Sequence, residues 1–216
     1  MYNVHEEEGV SMTIAVLAVQ GAFAEHEKKL DELGISWFEV RKKEDLDIYY
    51  DGLILPGGES TVQGKLLKEL GMFDRLKAQI EKGLPVFATC AGLILLAAEL
   101  GNDDRRWFQT LPVTVKRNAY GRQLGSFHTD AEFEAIGVIP MTFIRAPYIE
   151  TASPEVKVMA KVDERIVGVR YKQQLAISFH PELDNDNRLH QYFVQMVSSS
   201  LSIKRNSGPD RSCGQQ

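Results

Sequence analysis

Two cysteines and five histidines carry most of the nucleophilic and proton-transfer capacity of this 216-residue chain. Cys90 stands out by its surroundings. A short apolar run, Val86 to Ala88, reads as the end of a buried strand, and Thr89-Cys90-Ala91-Gly92 turns sharply with small residues. Leu93 to Leu100 is apolar enough to be a packed helix. This pattern predicts a nucleophile elbow, with the thiol at a strand-to-helix turn and the Ala91 N–H free to bind an oxyanion. The helix N-terminus would favour the thiolate. The alternative is a buried structural cysteine, a common fate of that residue.

A thiol nucleophile needs a base, and the base needs an orienting group. Leu175-Ala-Ile-Ser-Phe-His180-Pro-Glu182 supplies both, with His180 at the end of an apolar strand. Glu182 is two residues further on, and a period of two puts both side chains on one face. A Cys90–His180–Glu182 triad is the expectation; a surface His-Pro-Glu turn is the alternative. His128 beside Asp130 is the rival base. His26 and His190 fall on predicted helices and read as surface or packing residues, and His5 lies in an acidic extension.

Pro56-Gly57-Gly58-Glu59-Ser60 follows another apolar strand. Its glycines let backbone approach a ligand closely and turn N–H groups inward. With Ala91, Gly58 would complete an oxyanion hole. Arg117 and Arg145 each follow a short apolar strand, and either could hold a carboxylate. A solvated surface charge is the alternative for each.

The elements that must position these groups alternate. Thr13–Val19 reads as a central strand buried on both faces. A helix over Ala24–Leu33 follows, then strands at Ile35–Val40 and Tyr50–Leu55. Ser60 or Thr61 caps a helix running to about Leu70, and a helix over Phe73–Lys82 leads into the strand Leu84–Ala88. This is the pattern of an α/β, doubly wound, mostly parallel sheet of flavodoxin type, with ligands at the carboxyl ends of its strands. After Leu100 the texture is antiparallel and strand-rich, with pieces at Leu111–Arg117, Gln123–Phe127, Ala131–Phe133, Met141–Ile144, Lys157–Val162, Ile166–Tyr171 and Leu175–Ser178. A helix over Asn187–Leu201 closes the domain. One domain is expected over residues 12–203, with an N-terminal extension at 1–11 and a disordered polar tail at 204–216.

Bulk properties narrow the partners. The chain is 44% apolar and 25% charged with a formal charge of −5, which speaks against nucleic acid. There is no apolar run long enough for a membrane span, no signal-peptide core and no CxxC, so a reducing cytoplasm is expected. Cys213 falls in the polar tail, where no role is expected for it.

Together these residues resemble a class I, triad-type glutamine amidotransferase. Within that class they resemble the glutaminase subunits of pyridoxal 5′-phosphate synthases. The resemblance rests on Leu17-Ala-Val-Gln-Gly-Ala22 with Glu25-His26, Gly52 to Thr61, Thr89 to Leu93, Phe143-Ile-Arg-Ala-Pro147 and Phe179-His-Pro-Glu182, and spans roughly Met12 to Leu201. Ala88 departs from it, standing where many amidotransferases have glycine.

The resemblance implies that Cys90, His180 and Glu182 hydrolyse L-glutamine to glutamate and ammonia. It further implies that Gly58, Glu59, Ser60, Arg117, Ile144 and Arg145 line the glutamine site. It implies no metal and no cofactor, and a (β/α)-barrel synthase subunit that receives the ammonia to make pyridoxal 5′-phosphate (vitamin B6). A glutaminase of another synthase, such as imidazole glycerol phosphate synthase, is an alternative. A non-catalytic flavodoxin-like module with a redox-sensing cysteine is another.

Overall fold

The computed structural model describes residues 12–101, 103–117 and 126–206. The extension at 1–11 and the tail from 207 onward lie outside the described residues, as does the start of the strand expected at Gln123–Phe127.

The first half builds the parallel layer. In chain order it runs β1 (Thr13–Leu17), α1 (Phe23–Glu32), β2 (Ser36–Val40), a 3₁₀ turn at Lys43–Asp47, β3 (Gly52–Leu55), α2 (Ser60–Glu69), α3 (Phe73–Glu81), β4 (Val86–Thr89) and α4 (Ala91–Leu96). The second half adds β5 (Ala97–Leu100), β6 (Leu111–Lys116), β7 (Ser126–Phe133), β8 (Gly137–Ile144), β9 (Tyr148–Ala152), β10 (Lys157–Val162), β11 (Arg165–Tyr171), β12 (Gln174–Ile177), a 3₁₀ turn at Pro181–Leu183 and α5 (Arg188–Asn206).

The main sheet has the order β2-β1-β3-β4-β12-β11-β10-β7-β8. Neighbours from β2 through β12 are parallel, and from β12 onward the pairings are antiparallel. The expected sheet is therefore present, with the antiparallel portion grafted onto one edge. β12 is the join. It returns from the antiparallel half to lie parallel to β4, with Ile177 opposite Thr89.

Strand residues alternate between two apolar layers. Ile14, Val16, Ile54, Phe87, Leu175 and Ile177 pack with Leu30 of α1 and with Leu189, Phe193 and Val197 of α5. Ala15, Leu17, Leu53, Leu55, Val86, Ala88 and Ala176 pack with Leu67, Leu76, Ile80 and Leu93 of α2, α3 and α4. Both faces are covered, which is why these strands read as continuous apolar runs. Ala88 is fully buried, so a methyl group fits where glycine was the comparison.

Several expected boundaries move. The helix expected over Leu93–Leu100 ends at Leu96, and Ala97–Leu100 is β5, paired in parallel with β6. The two pieces at Gln123–Phe127 and Ala131–Phe133 belong to one strand, β7, over its described length. β9 was not expected; it pairs with β6 and β11. The cap of α2 is Glu59 rather than Ser60 or Thr61, its side chain accepting from Thr61 N. Residues 204–206, expected in the polar tail, continue α5.

Candidate active site

Cys90 follows β4 directly and takes φ 44° and ψ −94°. This is a left-handed-side conformation that a non-glycine residue holds at a cost of about 1–3 kcal/mol. The turn is fixed from both sides: Cys90 N donates to Ile177 O at 2.9 Å, and Ile94 N donates to Cys90 O at 3.3 Å. Gly92 is required for the approach of α4 to β3, because a β-carbon there would sit 2.9 Å from Leu55 Cβ and nearer still to its carbonyl oxygen. The helix after the elbow has six residues. Its dipole is correspondingly small.

His180 is delivered by β12, one strand over. Its backbone N donates to Thr142 O at 2.8 Å, and its ring Nδ1 lies 2.7 Å from Glu182 Oε1. The two side chains meet through the 3₁₀ turn at Pro181–Leu183, not through the strand-like period of two expected from the sequence. With Nδ1 taken by Glu182, Nε2 is the ring nitrogen left free to serve Cys90, which lies close enough to act on the His180 pKa. All three groups are buried.

Burial pushes the His180 pKa down, but its interaction with Cys90, its hydrogen bond to Glu182 and the Glu182 charge outweigh it and push it up to about 10. Burial raises Glu182 as well, against the lowering effect of His180. We assign the shared proton to His180, which has acceptors on both ring nitrogens, while Glu182 Oε1 faces one donor.

The Pro56–Ser60 loop lies beside these groups and is clamped to the turn after β1. Glu59 N donates to Gln20 Oε1 at 2.9 Å, and Ala22 N donates to Gly57 O at 3.0 Å. Buried Gln63 donates to Gln20 O at 2.9 Å and to Pro56 O at 3.2 Å. Gly58 has φ 156°, and a β-carbon there would lie 2.5 Å from Gln20 Oε1.

A cleft with a cavity volume of about 270 Å³ opens at these strand ends. Cys90 and His180 line it together with Gly58, Glu59, Ser60, Arg117, Ile144 and Arg145. Gln20, Ile94 and Pro147, not singled out from the sequence as site residues, line it too. Glu182 stands behind His180, and Ala91 is fully buried at the elbow. Ser60 Oγ is buried without a hydrogen-bond partner.

The two arginines differ. Arg117 is engaged with Asp103 at 2.9 Å and Glu59 at 3.0 Å. Arg145 forms no ion pair with any described residue and sits at φ 44°, just past β8. Burial raises the Glu59 pKa, but the Thr61 backbone N–H and the nearby arginines prevail and lower it, so the carboxylate stays ionised. Asp103 is held well below the usual carboxylate range, chiefly by Arg105 and also by Arg117.

The rival base is elsewhere. His128 has a side chain 55% exposed and points to Thr142 Oγ1 at 3.0 Å and Asp184 Oδ1 at 3.6 Å, not to Asp130 or the cleft. His26 and His190, read as surface or packing residues, are both fully buried and hydrogen-bonded to each other at 2.9 Å. His26 Nε2 is also 3.5 Å from Glu182 Oε2. The Glu25-His26 pair in the resemblance was the signal available for it.

The model of the SNO glutamine amidotransferase family matches residues 16–199. The chain belongs to this family. Over 192 residues it is 61% identical to the pyridoxal 5′-phosphate synthase subunit PdxT of Desulfitobacterium hafniense (strain DSM 10664 / DCB-2), covering 89% of this chain and 96% of that one. It is 52% identical to the subunit of the same name from Streptococcus pneumoniae (strain CGSP14), over 86% of this chain and 97% of that one. A crystal structure titled as a glutamine amidotransferase superposes with a TM-score of 0.81 at 45% identity, covering 86% of this chain and 98% of that one. The fold alone is shared with the structure of PurLQS from Thermotoga maritima, at a TM-score of 0.63 and 16% identity over 89% of this chain and 100% of that one.

Proposed function

We propose that this chain is the glutaminase subunit of a pyridoxal 5′-phosphate synthase. It hydrolyses L-glutamine to L-glutamate and ammonia, and a synthase subunit of the (β/α)-barrel type takes up the ammonia. The observation that carries the reading is the buried line of Cys90, His180 and Glu182 at the mouth of one cleft.

The chemistry follows from the positions. His180 already holds the proton given up by the Cys90 thiol, and the thiolate attacks the side-chain amide carbon of glutamine. The developing oxyanion is received by the backbone N–H groups of Gly58 and Ala91. His180 then passes its proton to the departing ammonia. Water, activated by the same imidazole, cleaves the γ-glutamyl thioester and restores the thiol. Glu182 holds the ring with Nε2 toward sulfur and stabilises the imidazolium.

The amino-acid head of the substrate has partners at the rim. Arg145, with no carboxylate partner among the described residues, takes the α-carboxylate. The ionised Glu59 answers the α-ammonium, and Ser60 and Ile144 complete the wall. A reduced Cys90 suits the cytoplasm.

Glutamate release from glutamine tests the reading, assayed with and without the synthase subunit. The complex is expected to turn over glutamine, and Cys90→Ala to abolish that turnover. A complex containing Cys90→Ala that still released glutamate would remove Cys90 as nucleophile, and an inactive wild-type complex would sink the assignment.

A further inference from the structure

His26 touches the triad, yet the mechanism above does not use it. It sits in the first turns of α1, with no exposed surface. Its Nε2 lies 3.2 Å from Thr89 Oγ1 and 3.5 Å from Glu182 Oε2. Its Nδ1 lies 2.9 Å from His190 Nε2 on α5. Thr89 precedes the nucleophile and Glu182 orients the base, so one ring joins the two strand ends that carry the site.

The charged and titratable neighbours are few. His190 approaches from α5, Glu182 from the 3₁₀ turn, and His180 lies beyond it. Lys29 acts on His190, and Glu25 acts on Glu182. Burial, then the charges of His190 and His180, hold His26 well below its ordinary value. Burial and then Lys29 bring His190 down to about 3. Both rings are therefore neutral, and each carries one N–H.

Two proton arrangements are open to this pair. With the His26 proton on Nδ1, His26 donates to His190. Glu182 Oε2 then faces a ring lone pair, and His190 keeps a buried Nδ1–H with no acceptor. With the proton on Nε2, His190 donates from its Nε2 to His26 Nδ1, and the His26 Nε2–H bonds Thr89 Oγ1 while presenting its positive end to Glu182 Oε2 at 3.5 Å. Oε2 makes no hydrogen bond with any described residue, the 3.5 Å approach of His26 Nε2 being an electrostatic contact beside its 3.2 Å bond to Thr89 Oγ1, and the atom left over is His190 Nδ1 as an unused acceptor. A buried carboxylate oxygen without a donor costs more than a neutral acceptor without one, so the second arrangement wins.

We propose that His26 is a positioning residue of the triad, its Nε2–H directed at Glu182 Oε2 to hold that carboxylate ionised and oriented for His180. The proposal rests on the thiol chemistry proposed above. The sequence of effects has a definite sign. The N–H favours the Glu182 anion, the anion favours the His180 imidazolium, and the imidazolium favours the Cys90 thiolate.

Nitrogen-15 NMR of the wild-type chain, with labelled histidine, reads the His26 tautomer directly. At about pH 7 the ring is expected to be neutral with its proton on Nε2; a proton on Nδ1, or an imidazolium, overturns the proposal. The second measurement is the pH dependence of Cys90 alkylation by iodoacetamide. In His26→Leu its midpoint is expected to rise by about one unit, whereas His26→Gln, which restores an N–H donor, stays near the wild type. In the complex with the synthase subunit, His26→Leu is expected to lose roughly ten-fold in kcat with KM for glutamine unchanged. A folded His26→Leu variant with a wild-type alkylation profile, or Leu and Gln variants impaired alike, would show a packing role alone. The NMR result decides the matter if His26→Leu does not fold. A wild-type complex that releases no glutamate defeats the proposed function without altering the tautomer.

Discussion

Gly57 packs directly against His180: a β-carbon at position 57 would lie 2.8 Å from the imidazole Nδ1 and nearer still to Cε1. The same atom would stand 3.4 Å from Cys90 Cβ. The glycine is thus the floor on which thiol and base are brought together. Gly57→Ala is expected to push the ring off its line to sulfur, and a displacement near 1 Å costs on the order of 100-fold in rate. Glutamate release by the complex checks this, alongside circular dichroism to confirm the fold. Activity within a few-fold of wild type would show that the ring has room to give.

Arg145 and Arg117 are expected to separate in kinetics. Arg145 has no ion-pair partner among the described residues, so Arg145→Met should raise KM for glutamine by roughly ten-fold or more with little change in kcat. Arg117 holds Asp103 and Glu59, so Arg117→Met should disturb the rim itself and change both constants. Equal behaviour of the two variants would argue against this division of roles.

Glu27 gives the chain a pH-dependent weakness. Burial first, then the charge and hydrogen bond of Glu39, raise its pKa from 4.5 to about 7. The folded state therefore keeps a proton that the unfolded chain releases. Stability from this group declines as pH rises from about 4.5 to about 7, and the loss is complete above that. Glu27→Gln carries no such charge. Thermal denaturation is expected to show a higher Tm than wild type at about pH 8 and no difference at about pH 4. A gain of the same size at both values would point to a cause other than ionisation.

Gly64 lies inside α2, where alanine ordinarily gains about 1 kcal/mol. Here a β-carbon would lie 2.5 Å from Trp107 Cη2 and nearer still to two other ring atoms. The Trp107 ring is buried. Overpacking of about 1–3 kcal/mol outweighs the helical gain, so Gly64→Ala is expected to lower Tm by a few degrees. A higher Tm would show that the ring can shift.

Much of this was readable in the sequence because the parallel layer is buried on both faces. β1, β3 and β4 are continuous apolar runs, and the groups that face the cleft come right after such runs. The errors have equally local causes. Leu93 to Leu100 is apolar but for Glu99, and such a run does not reveal where α4 ends and β5 begins. Tyr148 to Ala152 has weak alternation, so β9 is recognised only by its partners β6 and β11. His26 looked like any helix residue, since its relation to Glu182 spans more than half the chain and arises only when α1 packs beside the 3₁₀ turn. The engagement of Arg117 by Asp103 and Glu59 is tertiary in the same sense.

β12 lies parallel to β4, and Cys90 N is held by Ile177 O. The thiol and its base are therefore brought together by the last strand to leave the ribosome. A chain interrupted between Cys90 and β12 would carry the cysteine without His180, and under the proposed mechanism such unfinished copies would consume no glutamine. Glutaminase turnover then reports the completion of folding, arriving after the parallel layer and its grafted half have closed on each other.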